Sequence, residues 1–214
     1  MTKNFLLIAA SAMMLSATAA SAATLNFVGT DQTHLVTRND VNAGFNTTID
    51  IITGDQKSIG NGLFLDLTGG SANVTYTFIG AEAGNRNYAA SAGSRDFFNR
   101  GHNASDVGDQ VTVIQDTSGL LDFAFGTYAP LRAIGEFLNN GLANPNSPHY
   151  AMGFIQIDAD SFYVLFDDIA TGDRDFDDMA LRIDVAAIPL PAGLILLLSA
   201  LGGAFMMRRK TDIA

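Results

Sequence analysis

Apolar and polar residues alternate with a period of two through most of the middle of this chain. Between 179 and 185, Met179, Leu181, Ile183 and Val185 fall on one face, with Arg182 and Asp184 on the other. That is the pattern of a strand with one buried side. The same reasoning predicts strands at 24–28, 47–53, 63–67, 73–79, 110–115, 120–125, 151–158 and 161–166. Turns rich in Gly, Asn and Asp separate them, at Gly60-Asn61-Gly62, Gly69-Gly70 and Asp116-Thr117-Ser118-Gly119. A single helix is predicted over 131–140, after Pro130 and before Gly141, with Gly135 weakening its interior. Short strands joined by turns, with no internal repeat and no dividing linker, predict one all-β domain. Its expected form is an antiparallel β-sandwich of jelly-roll type.

Both ends break the pattern. Lys3 precedes an apolar run over 5–15, and Ala20-Ser21-Ala22 supplies small residues after it. This is the layout of a secretory signal peptide, a signal helix over 1–22 with cleavage expected after Ala22. At the other end Pro189-Leu190-Pro191 leads into an uncharged, mostly apolar run over 192–207, which Arg208-Arg209-Lys210 stop. Sixteen helical residues rise about 24 Å against a hydrocarbon core of about 30 Å. The run is thus a marginal transmembrane helix, and the basic cluster should hold its end on the cytoplasmic side. The domain between, 23–187, would lie on the outer side of the membrane. A permanent single-pass anchor is the plainer alternative. The tail resembles the PEP-CTERM class of bacterial sorting signals, in the variant whose motif reads Val-Pro-Leu-Pro-Ala. Here Ile188 stands for Val, followed by Pro189, Leu190, Pro191 and Ala192. The resemblance implies processing by an exosortase, a membrane-embedded cysteine protease. It also implies passage from the inner membrane of a Gram-negative bacterium to the cell surface or extracellular matrix.

Composition narrows the partners. The chain has 22 acids against 12 Lys and Arg, for a net charge of −10. All but one of the acids fall within 23–187. A surface so acidic disfavours nucleic acid and anionic lipid, and favours cations. Cysteine is absent, which excludes disulfides, thiol chemistry and Cys-ligated zinc.

Two stretches carry candidate chemistry. The first, 80–109, is rich in Gly, Ala, Ser and Asn and holds Arg86, Tyr88, Arg95, Phe97, Phe98, Arg100 and His102. Arginine with aromatic residues on a long loop would suit a sugar or acidic polysaccharide. In the alternative, Phe97 and Phe98 belong to a further strand and the arginines offset acidic charge. The second stretch places six carboxylates, Asp167, Asp168, Asp173, Asp175, Asp177 and Asp178, within twelve residues. Such a cluster repels itself unless it is spread in solvent or shares a hard cation. Ca²⁺ takes about six to eight oxygens in flexible geometry. The spacing Asp173-x-Asp175-x-Asp177, with Asp184 at the twelfth position, superficially matches an EF-hand loop. The match fails because Asp178 stands where glycine is needed and 179–185 already reads as a strand. A better resemblance is to an uncharacterised domain of bacterial exported proteins. Its end reads Phe-Glu-Asp, a Gly-containing turn, Asp-x-Asp-Phe-Asn-Asp and a hydrophobic strand. Here those positions are Phe166-Asp167-Asp168, Gly172, Asp173 to Asp178, and 179–185, with Asp at 167 and 177 preserving oxygen ligands. The resemblance implies calcium binding. A solvated turn whose Asp side chains cap local N–H groups is the alternative.

Catalysis finds little footing. His34, His102 and His149 are isolated, with no metalloprotease pair and no nucleophile elbow. A glycan hydrolase needs only two carboxylates, and Asp122 and Glu136 are conceivable. The expectation is a non-catalytic exported protein, calcium-stabilised and associated with anionic exopolysaccharide. A carbohydrate-binding module using 80–109 is the second expectation.

Overall fold

Alternation becomes pairing wherever two half-buried strands can share a ladder. The computed structural model describes residues 22–29, 32–36, 47–53, 60–128, 137–141, 150–168 and 174–189, with Leu197 and 200–202 beyond them. These hold fourteen strands: β1 Ala22–Val28, β2 Thr33–Val36, β3 Thr47–Thr53, β4 Gly62–Thr68, β5 Ser71–Gly80, β6 Asn87–Ser91, β7 Ser94–Phe98, β8 Gln110–Gln115, β9 Gly119–Leu120, β10 Phe123–Thr127, β11 Phe137–Asn139, β12 Ala151–Gln156, β13 Ser161–Asp167 and β14 Met179–Ile188. They form a three-stranded sheet (β1-β4-β9), a four-stranded sheet (β11-β10-β6-β7) and a seven-stranded sheet (β2-β3-β12-β13-β14-β5-β8). Every pairing is antiparallel.

All three sheets feed one core. Leu25, Leu63 and Leu65 come from the first, Phe97, Phe123, Phe125 and Leu138 from the second, and Val74, Phe154, Val164, Leu181 and Ile183 from the third. Phe125 stacks on Phe166 across the interior, with centroids 5.0 Å apart. A smaller cluster of Val36, Ile49, Ile51, Ala151, Leu165, Phe176 and Ala180 covers the opposite face of the large sheet. Neighbours alternate between the clusters, with Val164 and Phe166 in one and Leu165 in the other, as the two-residue period requires.

Several expectations change. The helix over 131–140 is not formed where the structure describes it. Residues 137–139 are strand β11, in which Leu138 lies opposite Phe125, while 131–136 lie outside the described residues. Sheet pairing and the burial of Leu138 override a weak helical period. Asn140 closes this corner, accepting from Leu63 N–H at 2.7 Å and donating to the carbonyls of Leu63 and Leu121 at 3.0 and 2.8 Å. The strand expected at 120–125 is two strands in different sheets, with Leu121 and Asp122 forming the corner. The 80–109 stretch contains the β6–β7 hairpin, and Phe97 and Phe98 lie in β7. Its turn residues Ala92 and Gly93 have φ of 46° and 77°, the left-handed pair of a two-residue hairpin turn. The strands at 47–53 and 110–115 stand as expected. No helix among the described residues is long and apolar enough to cross a membrane.

Candidate metal centre

The acidic stretch lies between β13 and β14, two neighbouring strands at the middle of the large sheet. Side-chain alternation therefore sends its first two carboxylates to opposite sides. Asp167 follows Leu165 onto the face of the smaller cluster and lies opposite Ala151. Asp168 turns towards the four-stranded sheet, where Asn85 Nδ2 donates to its Oδ1 at 2.9 Å and Asn87 Nδ2 to its Oδ2 at 2.7 Å. Asn87 is itself fixed, because Thr127 Oγ1 donates to its side-chain oxygen at 2.8 Å and its own N–H donates to Asn99 Oδ1 at 2.7 Å.

Arg174 to Asp178 return to β14 through two residues in the left-handed region, Arg174 at φ 53° and Phe176 at φ 60°. For an aromatic side chain this conformation costs energy, and packing has to hold it. The Phe176 ring is fully buried in the smaller cluster and lies 5.4 Å from the His34 ring, whose Nε2 donates to the Arg174 carbonyl at 3.1 Å. Gly153 makes room for it: a Cβ there would stand 3.1 Å from the Phe176 ring and 2.4 Å from Ile49. On the far side of the loop, Asp177 O accepts from Glu82 N–H at 2.8 Å. Asp178 Oδ2 accepts from Asp168 N–H at 2.7 Å, which ties the start of the loop to its end. A bulge in the β5–β14 ladder beside Ala180 bends the sheet at this point.

Three of the described carboxylates are withdrawn from solvent. Asp167, Asp168 and Asp177 are 1%, 2% and 3% exposed. Asp178 has its pKa pushed up to about 8, first by burial and then by repulsion from Asp168, Asp167 and Asp175, against the lowering effect of the Asp168 N–H. Asp178 is thus neutral in the folded chain at neutral pH and ionised when unfolded. Between about pH 4 and pH 8 the native state holds a proton that the unfolded state has lost, so stability is highest below this window. It falls as pH rises through the folded pKa. Without metal, the unfolding free energy from urea melts should decline from pH 5 to 8. In the middle of the window this group alone contributes a slope approaching the ~1.4 kcal/mol per unit of one complete proton, and the solvent it keeps narrows the window rather than the slope. Asp178→Asn keeps the acceptor for Asp168 N–H and should flatten the decline. A wild-type curve that rises over this range would contradict the account.

Asp167, Asp168, Asp175, Asp177 and Asp178 are all described, whereas Asp173 lies outside the described residues. Among the described residues no group of three or more His, Cys, Asp or Glu side chains stands ready as a metal cage. Asp168 and Asp178 are engaged with amide donors instead. A cation shared by this loop would have to draw its oxygens in from those partners. Asp184, twelfth in the EF-hand spacing, is remote from the loop. It pairs with Arg182 at 2.7 Å and accepts from Ser161 Oγ at 2.8 Å.

The chain had no obvious signal for Asn85 and Asn87, two amides in a Gly- and Asn-rich stretch. Within 80–109, Arg95 and Arg100 are engaged by the chain itself. The Arg95 guanidinium lies over the Tyr88 and Tyr128 rings at 4.6 and 4.9 Å and covers the aromatic faces a sugar would stack on. Arg100 donates to the carbonyls of Gly84 and Ala83, beside a shallow hollow of about 360 Å³ lined by Glu82 and Asn99. Of the residues weighed for catalysis, Asp122 is exposed at its corner, and Glu136 and His149 lie outside the described residues. In the tail, Pro189 directly follows β14, while Leu190, Pro191, Ala192, Arg208, Arg209 and Lys210 lie outside the described residues. No family model, curated protein or solved structure matches the chain.

Proposed function

We propose that this chain is a non-catalytic exported protein, a jelly-roll-type β-sandwich stabilised by Ca²⁺ bound through the 167–178 loop. Its large sheet would face the two smaller ones across the common core. The burial of Asp167, Asp168 and Asp177 around Asp178 carries the metal reading. Carboxylates withdrawn from water and crowded together gain most from a hard cation, and Asp oxygens with backbone carbonyls are the ligands Ca²⁺ takes. Asp173, Asp175, Asp177 and Asp178 would supply ligands from the end of the loop, and Asp167 and Asp168 from its start. Equilibrium dialysis of residues 22–189 should show saturable uptake of calcium by the metal-free protein. Absence of uptake would leave the loop as a buried, amide-capped turn.

The rest of the reading comes from the two ends of the sequence. The 1–22 segment directs export. The 192–207 segment holds the domain at the outer face of the inner membrane until an exosortase acts near Pro189-Leu190-Pro191. The protein then reaches the cell surface or extracellular matrix, where calcium can join its acidic surface to anionic exopolysaccharide. Intact-mass spectrometry of protein recovered from that final location should find a chain ending near Pro189. A mass still including Arg208-Arg209-Lys210 would make the tail a permanent anchor.

A further inference from the structure

We infer that the domain is oriented against the bilayer, with the Thr68–Ser71 turn facing the lipid headgroups and the acidic loop at the opposite, outward end. The inference rests on the reading of 192–207 as a membrane segment and adds to it the face that meets the membrane. Three registers carry it. In β1, Ala22 lies opposite Thr68; in β14, Ile188 lies opposite Ser71. The chain therefore comes into the domain and leaves it on either side of the same short turn, Gly69-Gly70. Two cross-strand steps of about 5.5 Å and three virtual bonds of about 3.8 Å keep Ala22 and Ile188 within about 22 Å of each other. The neighbouring turn belongs to the same end, since Gln115 lies opposite Ala72 and Ser118 Oγ accepts from Leu67 N–H at 2.9 Å.

The acidic loop sits at the other end of the same strand. β14 runs from Met179, next to Asp178, to Ile188, nine steps that span about 30 Å. Between Ile188 and the first residue of the apolar run stand only Pro189, Leu190 and Pro191. The four steps from Ile188 to Ala192 reach at most about 14 Å, and two of the three intervening residues are stiff prolines. So short a tether keeps the turn end at the headgroups while the site stands several Debye lengths above them, clear of the surface potential and open to a large polyanion.

The absence of cysteine makes the test direct. Thr117→Cys places one thiol on an exposed turn at the proposed membrane end; His102→Cys places one on an exposed loop near the other end. Each full-length variant, labelled with a fluorophore, is reconstituted into phosphatidylcholine vesicles carrying a headgroup nitroxide. The label at position 117 should be quenched several-fold more than the label at 102. Equal quenching, or stronger quenching at 102, would overturn the orientation while leaving the membrane segment in place. Failure of the chain to float with the vesicles would overturn the membrane reading itself.

Discussion

Phe176→Ala should destabilise the domain by about 3–5 kcal/mol, the usual cost of emptying a buried aromatic site. For a domain of this size that is a fall in melting temperature of roughly 6–20 °C. The ring is fully buried against Ile49, Ala151, Leu165 and Ala180. Its packing also helps to hold a left-handed backbone, at φ 60°, that an aromatic residue rarely adopts. Its removal therefore has two consequences. The far face of the large sheet loses packing, and the segment from Arg174 to Asp178 is freed from the face that positions its carboxylates. Phe176→Leu keeps much of the volume and should cost far less. Thermal melts of the three proteins decide the matter, and a loss below about 1 kcal/mol for the alanine variant would mean that the ring does not hold the loop.

Phe176 also shows what the sequence could and could not reveal. Its position between Asp175 and Asp177 marks it as part of an acidic loop, and nothing local says that it folds back onto the sheet. That depends on Gly153, in β12, leaving a space that any side chain would fill. The two-residue period located β8, which turns one face to the core, whereas β3 and β13 are buried on both faces and were legible as short apolar runs. It failed at β6 and β7, where the chain turns through Ala92 at φ 46° rather than through the Asn or Asp that usually marks such a hairpin. It failed again at β11, where three residues form a strand only because β10 is there to pair with them. The acidic loop was legible as a concentration of carboxylates. Its burial was not, because the amides that receive Asp168 come from Asn85 and Asn87, more than eighty residues earlier in the chain.

Calcium should raise the melting temperature of residues 22–189, and a chelator should lower it. A ligand that binds only the native state stabilises it by about 2.7 kcal/mol at a hundredfold excess over the dissociation constant. Mg²⁺ at matched ionic strength should do less, since it demands a tighter octahedral shell and gives up water reluctantly. This comparison separates binding from simple screening of the acidic surface. Asp175→Asn with Asp177→Asn removes two of the loop's carboxylates. The double variant should lose the calcium response and, freed of repulsion, melt no lower than the wild type without metal. The central claim is thus tested most directly by melting wild type and double variant with Ca²⁺, Mg²⁺ and chelator. The account predicts a calcium-specific rise in the wild type alone. An unchanged wild-type melt, or a double variant that responds as fully, would contradict it.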